Sequence, residues 1–137
     1  MPKATVSTES QRFSLRTLPA RDGEEEGWVE IRVMSFGEYN RRKDLVSKMT
    51  LEGQGKNSRA TMEMANEVLT QYEFSKCIVD HNLEDDGGNK LDFTKQTGIK
   101  RLDPRVGQEI ETYIDKLNKW DEDVDEEDGT GPLTTSD

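Results

Sequence analysis

The chain has one cysteine, Cys77, and one histidine, His81, among its 137 residues. A lone cysteine cannot close an intrachain disulfide, so the disulfide-scaffold class is excluded and a reducing compartment suits the sequence. Two such ligands also fall short of the four that close a structural zinc site. Apolar residues are scarce at 31%, against the ~45–50% of ordinary globular domains. No apolar run approaches the ~18 residues needed to span a bilayer, and the opening MPKATVSTESQR lacks the apolar stretch of a signal peptide. These absences lead us to expect a soluble intracellular protein of one domain.

Positive charge is in deficit too: 19 Lys and Arg face 29 Asp and Glu, for a net charge of −10. The deficit is local. Residues 121–137 hold eight carboxylates (Asp121, Glu122, Asp123, Asp125, Glu126, Glu127, Asp128 and Asp137) and no Lys or Arg. Residues 1–120 are left with 19 basic against 21 acidic groups. A nearly neutral body lacks the concentrated basic surface that nucleic-acid binding needs, and an acidic tail repels nucleic acid and anionic lipid alike. No nucleic-acid or membrane partner is expected.

The apolar residues cluster between Phe13 and Trp120. Residues 12–18 (RFSLRTL) alternate, with Phe13 and Leu15 on one face. Residues 28–34 (WVEIRVM) do the same with Val29, Ile31 and Val33. Period-two patterning predicts two half-buried strands, and PARDGEEEG between them predicts an antiparallel hairpin with a long acidic loop. Ser35 with Glu38 three residues on is a capping-box signature, so a helix is expected over 36–49. Its stripe of Phe36, Tyr39, Val46 and Met49 is broken by Arg42 and Lys43, which predicts a helix only partly buried.

Residues 51–59, with two glycines, read as a loop. ATMEM (60–64) suggests a short strand with Met62 and Met64 on one face. Residues 66–83 read as a helix capped by Asn66, with Phe74, Cys77, Ile78 and His81 at i, i+3, i+4, i+7. EDDGGN breaks it, and KLDF (90–93) reads as a short edge strand. Asp103-Pro104 marks a helix start, and Val106, Ile110, Tyr113, Ile114, Leu117 and Trp120 then follow a helical period. The fold class expected is α+β: a small antiparallel sheet built on an N-terminal hairpin, packed with about three helices. The domain spans 11–120, between a disordered 1–10 and a disordered acidic tail at 121–137.

Chemistry is sparse. Cys77 and His81, four apart, would share a helix face, and a thiolate–imidazole pair is conceivable there. Without a third member or an oxyanion hole, the better reading is a core thiol and a helix-ending histidine. The acidic stretch around EDDGGN lacks the spaced carboxylates and closing Glu of an EF-hand. LEGQGKNS lacks the G-x-x-x-x-G-K-[ST] spacing of a phosphate loop. No catalytic residue, cofactor or metal site is predicted. A partner helix could instead be held by Tyr39, Arg42, Val46 and Met49, which are helically spaced yet interrupted by charge.

Three blocks of residues resemble a known family. SFGEYNRRKDLVSKM is similar to the first helix of siphophage tail assembly chaperones. MEMANEVLTQYEFSKCIVDHNLEDDGGNKLDF resembles that family's middle block, and LDPRVGQEIETYIDKLNKW its closing helix. The resemblance runs in order over 34–120. It implies a non-enzymatic protein without cofactor, acting in the host bacterial cytoplasm. Such a protein binds the tape measure protein, helps bring tail tube protein to it, and is absent from the mature virion. Many members also exist in a longer form made by a programmed frameshift. Self-association is left open. The alternative is a structural tail or connector component of the virion.

Overall fold

The computed structural model describes the backbone of residues 1–52 and 58–119, and the side chains of 1–48 and 66–119. The chain is α+β. Strand β1 (Gln11–Ser14) pairs antiparallel with β2 (Trp28–Ile31), and β2 pairs antiparallel with β3 (Ile78–His81), in the order β1-β2-β3. Helices α1 (Phe36–Glu52) and α2 (Ser58–Cys77) precede β3; α3 (Gln96–Lys100) and α4 (Pro104–Asn118) follow it.

The hairpin forms as its alternation predicts. Val29 and Ile31 are fully buried, while Arg12 stacks on the Trp28 ring at 3.7 Å and pairs with Glu30 at 2.8 Å on the other face. Its loop closes through Leu15 N–H donating to Gly27 O and Gly27 N–H donating to Leu18 O. A Cβ at Gly27 would lie 2.9 Å from that of Leu18, so the close approach requires glycine. Residues 1–10 are exposed and contain no regular element.

Helix α1 starts on the expected capping box. Ser35 N–H donates to Glu38 Oε1 at 3.0 Å, and Glu38 N–H donates to Ser35 Oγ at 3.3 Å. Glu38 also takes two hydrogen bonds from Arg32, at 2.9 and 2.7 Å. These hold its carboxyl down at about 2.

The middle of the chain departs from the sequence reading. The backbone at 60–64 is part of α2, not a strand, and Asn66 lies inside that helix rather than capping it. Ala, Met and Glu are strong helix formers, and that preference outweighs the two-residue alternation of the methionines. The helix expected over 66–83 ends at Cys77, and the chain passes directly into β3. Ile78 and Val79 are β-branched, and the open edge of β2 offers them partners: Ile31 lies opposite Ile78 and Val29 opposite His81, across a bulge at Glu30 and Ile31. The expected strand at 90–93 is reduced to a single bridge between Glu84 and Lys90. There the Asp92 side chain instead accepts from Thr94 N–H, turning the chain so that Phe93 inserts edge-on against Phe74. Of the loop expected at 51–59, residues 51–52 belong to α1 and 58–59 to α2.

Helix α4 starts as its sequence dictates. Asp103 accepts from Arg105 N–H, and Pro104 occupies the first helical position. Val106, Ile110 and Ile114 are buried in one core with Leu15, Val29, Ile31, Phe74 and Phe93. Glu109 ties the helix to the hairpin by accepting from the Arg16 and Thr17 backbones, and Tyr113 stacks on Phe13 at 4.7 Å. The expected acidic tail and Trp120 lie outside the described residues.

Candidate partner-binding groove

Helix α1 packs on α2. Tyr39, Arg42 and Val46, spaced i, i+3, i+7, share its inner face and are half-buried. The outward positions Phe36, Asn40, Arg41, Lys43, Asp44, Ser47 and Lys48 are exposed. Three of the four residues proposed from sequence therefore lie along the α1–α2 seam. The fourth, Met49, has its side chain outside the described residues.

Arg42 is the member of that set that reaches a cavity. Its Nε donates to Glu73 Oε2 on α2 at 2.6 Å, and Glu73 is only 5% exposed. The pair forms part of a groove of about 460 Å³ bordered by Leu69 and Thr70 of α2 and by Gln108, Glu111, Thr112 and Asp115 of α4. This wall of α4 is the side opposite Val106, Ile110 and Ile114, as the 3.6-residue period requires.

Carboxylates outnumber the guanidinium in the groove. Burial pushes the Glu73 carboxyl above its ordinary range, Arg42 pulls it down, and Asp115 and Glu111 add to the rise. Burial raises Glu111 as well, with Asp115 contributing. An incoming Lys or Arg side chain would relieve both. Among the described residues no three His, Cys, Asp or Glu side chains are grouped as a metal ion would need. The polar lining of the groove is three carboxylates, one guanidinium, the Asn66 and Gln108 amides and the Thr70 and Thr112 hydroxyls, a set able to pair with polar and cationic groups.

Cys77 and His81 do not share a helix face. Cys77 closes α2 and His81 lies in β3. The Cys77 thiol is fully buried, and burial pushes it up to about 12, which removes its nucleophilic form at neutral pH. Both His81 nitrogens are engaged. Nδ1 accepts from Leu83 N–H at 3.0 Å, which leaves Nε2 to donate to Leu91 O at 3.0 Å. That tautomer is neutral, and burial lowers the imidazole pKa accordingly.

Comparison with protein families, curated proteins and solved structures returned no match for this chain. The groove must therefore be read on its own residues. Of its polar members the sequence points to Arg42 alone as a partner contact, and to Asn66 only as a helix cap. Glu73, Glu111 and Asp115 look like ordinary solvated helix positions until α2 and α4 are set side by side.

Proposed function

We propose that this chain is a tail assembly chaperone of a long-tailed bacteriophage. On this reading it binds the helical tape measure protein, promotes assembly of tail tube protein around it, and leaves before the virion is complete. The observation that carries the binding role is the groove between α2 and α4, with Arg42 of α1 at its side. A cleft walled by helices, with an apolar contact at Leu69 and carboxylates at Glu73, Glu111 and Asp115, suits one face of a partner helix bearing Lys or Arg. The resemblance over 34–120 supplies the identity of that partner. The nearly neutral body and the buried thiol fit a binding role better than a nucleic-acid or enzymatic one.

Coexpression with a tape measure protein from the same phage tests the reading. The tape measure protein should become more soluble and co-purify with the chain. Reversing the charge of the groove with Glu111→Lys and Asp115→Lys should reduce both effects. Stoichiometric copies of the chain in purified particles would refute the chaperone reading in favour of a structural tail or connector component.

A further inference from the structure

Two acidic stretches that lie far apart in the sequence, the hairpin loop 19–27 and the turn 84–89, border one continuous cleft in the fold. The joint between them is apolar. Gly27 N–H donates to Leu18 O at 2.8 Å, and the Leu18 side chain lies over Gly27 beside Leu83: a Cβ at position 27 would stand 2.9 Å from Leu18 Cβ and 3.3 Å from Leu83 Cδ2. Leu91 is held next to Leu83 by its N–H, which donates to Leu83 O at 3.0 Å. Leu102, just before α4, and Val106, in its first turn, complete an apolar floor. Leu83 and Val106 are buried, whereas Leu18 is 38% exposed.

The space above this floor is about 350 Å³. A second hollow of about 480 Å³ shares Leu18, Leu83, Glu84 and Asp85 with it and runs on along the hairpin loop to Glu24 and Glu25. The rim is negative: Glu24, Glu25, Glu84, Asp85, Asp86 and Asp103 stand against Arg21 and Arg101. Both kinds of charge are partly engaged already. Arg101 pairs with Asp86 at 3.3 Å, Asp103 with Arg105 at 3.2 Å, and Asp85 Oδ1 accepts from the Gly87 and Asn89 N–H groups, which fixes the turn. Glu24, Glu25 and Glu84 are exposed beside the apolar floor. The groove between α2 and α4 differs in kind, since Leu69 is the one apolar side chain among its described lining residues.

We propose that this cleft is a second docking site, for a segment of a protein partner in which one large aliphatic side chain is flanked by Lys or Arg. The aliphatic side chain enters between Leu18, Leu83 and Leu102, and the flanking cations meet Glu84 at one end and Glu24 and Glu25 at the other. Charge complementarity selects this occupant. Nucleic acid and anionic lipid carry the wrong sign, and a basic segment without an apolar residue would leave the floor uncovered. The site stands apart from the groove between α2 and α4 and does not depend on the chaperone reading.

A blocked Lys-Lys-Leu-Lys-Lys peptide, titrated into the isotope-labelled full chain, probes the site by amide NMR. Saturable shifts should appear at 18–27, 83–86 and 101–106, with half-saturation below about 1 mM. The same peptide with Ser in place of Leu should bind about tenfold more weakly, because it buries no aliphatic side chain. Glu25→Lys combined with Glu84→Lys should weaken the Leu peptide roughly fivefold, and Leu18→Ser should weaken it by about as much. All three positions are exposed, so the variants should keep the thermal melt of the native chain. Equal affinity for the Leu and Ser peptides would overturn the proposal, since it would leave a charged rim without a site. Absence of saturation would overturn it too, as would shifts confined to the groove at Glu73 and Glu111, an outcome that leaves the chaperone reading standing. Shifts at 18–27 and 83–86 that grow with the chain's own concentration, before any peptide is added, would overturn it in favour of a second copy as the occupant.

Discussion

The two sides of α4 show how differently this molecule treats its two halves. Toward the sheet, Val106, Ile110 and Ile114 meet Leu15, Val29 and Ile31 in a core from which charge is excluded. Toward α2, the same helix presents Glu111 and Asp115 to a groove where Glu73 is buried against a single guanidinium. The first side supplies stability at no electrostatic cost. The second keeps carboxylates close together and partly desolvated, which opposes stability and favours an incoming cation. The contrast is that of a scaffold and the proposed binding surface on opposite faces of one helix.

The largest expected effect tests the scaffold side. Ile110→Ala should destabilise the fold by about 2–5 kcal/mol, the range for a large aliphatic side chain cut from a packed core. Urea unfolding followed by circular dichroism measures it. A loss below about 1 kcal/mol would erase the difference between the two faces.

The next test addresses the groove. Arg42→Met leaves Glu73 buried without its nearest cation and should cost about 1–3 kcal/mol. The double variant Arg42→Met with Glu73→Leu should recover most of that loss, because an apolar pair carries no desolvation penalty. The same urea titrations, arranged as a double-mutant cycle, separate the two contributions. Failure of the second substitution to rescue the first would show that Arg42 acts through other contacts.

The smallest effect is the dependence on pH, and it takes opposite signs in the two halves. His81 has a lowered pKa in the fold, so its contribution is intact above about 6.5 and fades as pH falls from there toward its folded value. Glu38, held at about 2, contributes above its ordinary 4.5 and loses that contribution as pH falls toward about 2. Glu73 and Glu111 have raised pKa values, so the fold takes up protons there before the unfolded chain does, and mild acid relieves the groove. Glu111→Gln should therefore stabilise the chain more at pH 7 than at pH 5. Urea midpoints at the two pH values give the comparison, and an equal shift at both would remove Glu111 from the account.

The halves also differ in how well the sequence foretells them. Helix α4 is written in full by Asp103-Pro104 and the period of Val106, Ile110 and Ile114, since one dry face is what such a period encodes. The Ser35–Glu38 capping box is local in the same sense, and both of its reciprocal bonds form. Strand β3 is not local. Phe74 and Cys77 set a helical period that Ile78 and His81 happen to extend, and only the waiting edge of β2 converts those residues to a strand. The groove was legible at Arg42, whose charge interrupts an apolar stripe. It was not legible at Glu73, Glu111 and Asp115, because their meaning depends on two helices distant in sequence meeting side by side.

Hydrogen exchange of the chain, alone and with the proposed partner, the tape measure protein, tests the division into scaffold and proposed binding surface most directly. The account predicts that binding adds protection along the groove, in the α2 segment around 66–73 and in the α4 segment around 108–115, while β1 and β2 keep the protection they already have. Added protection confined to the β1–β2 hairpin, with the groove unchanged, would contradict it.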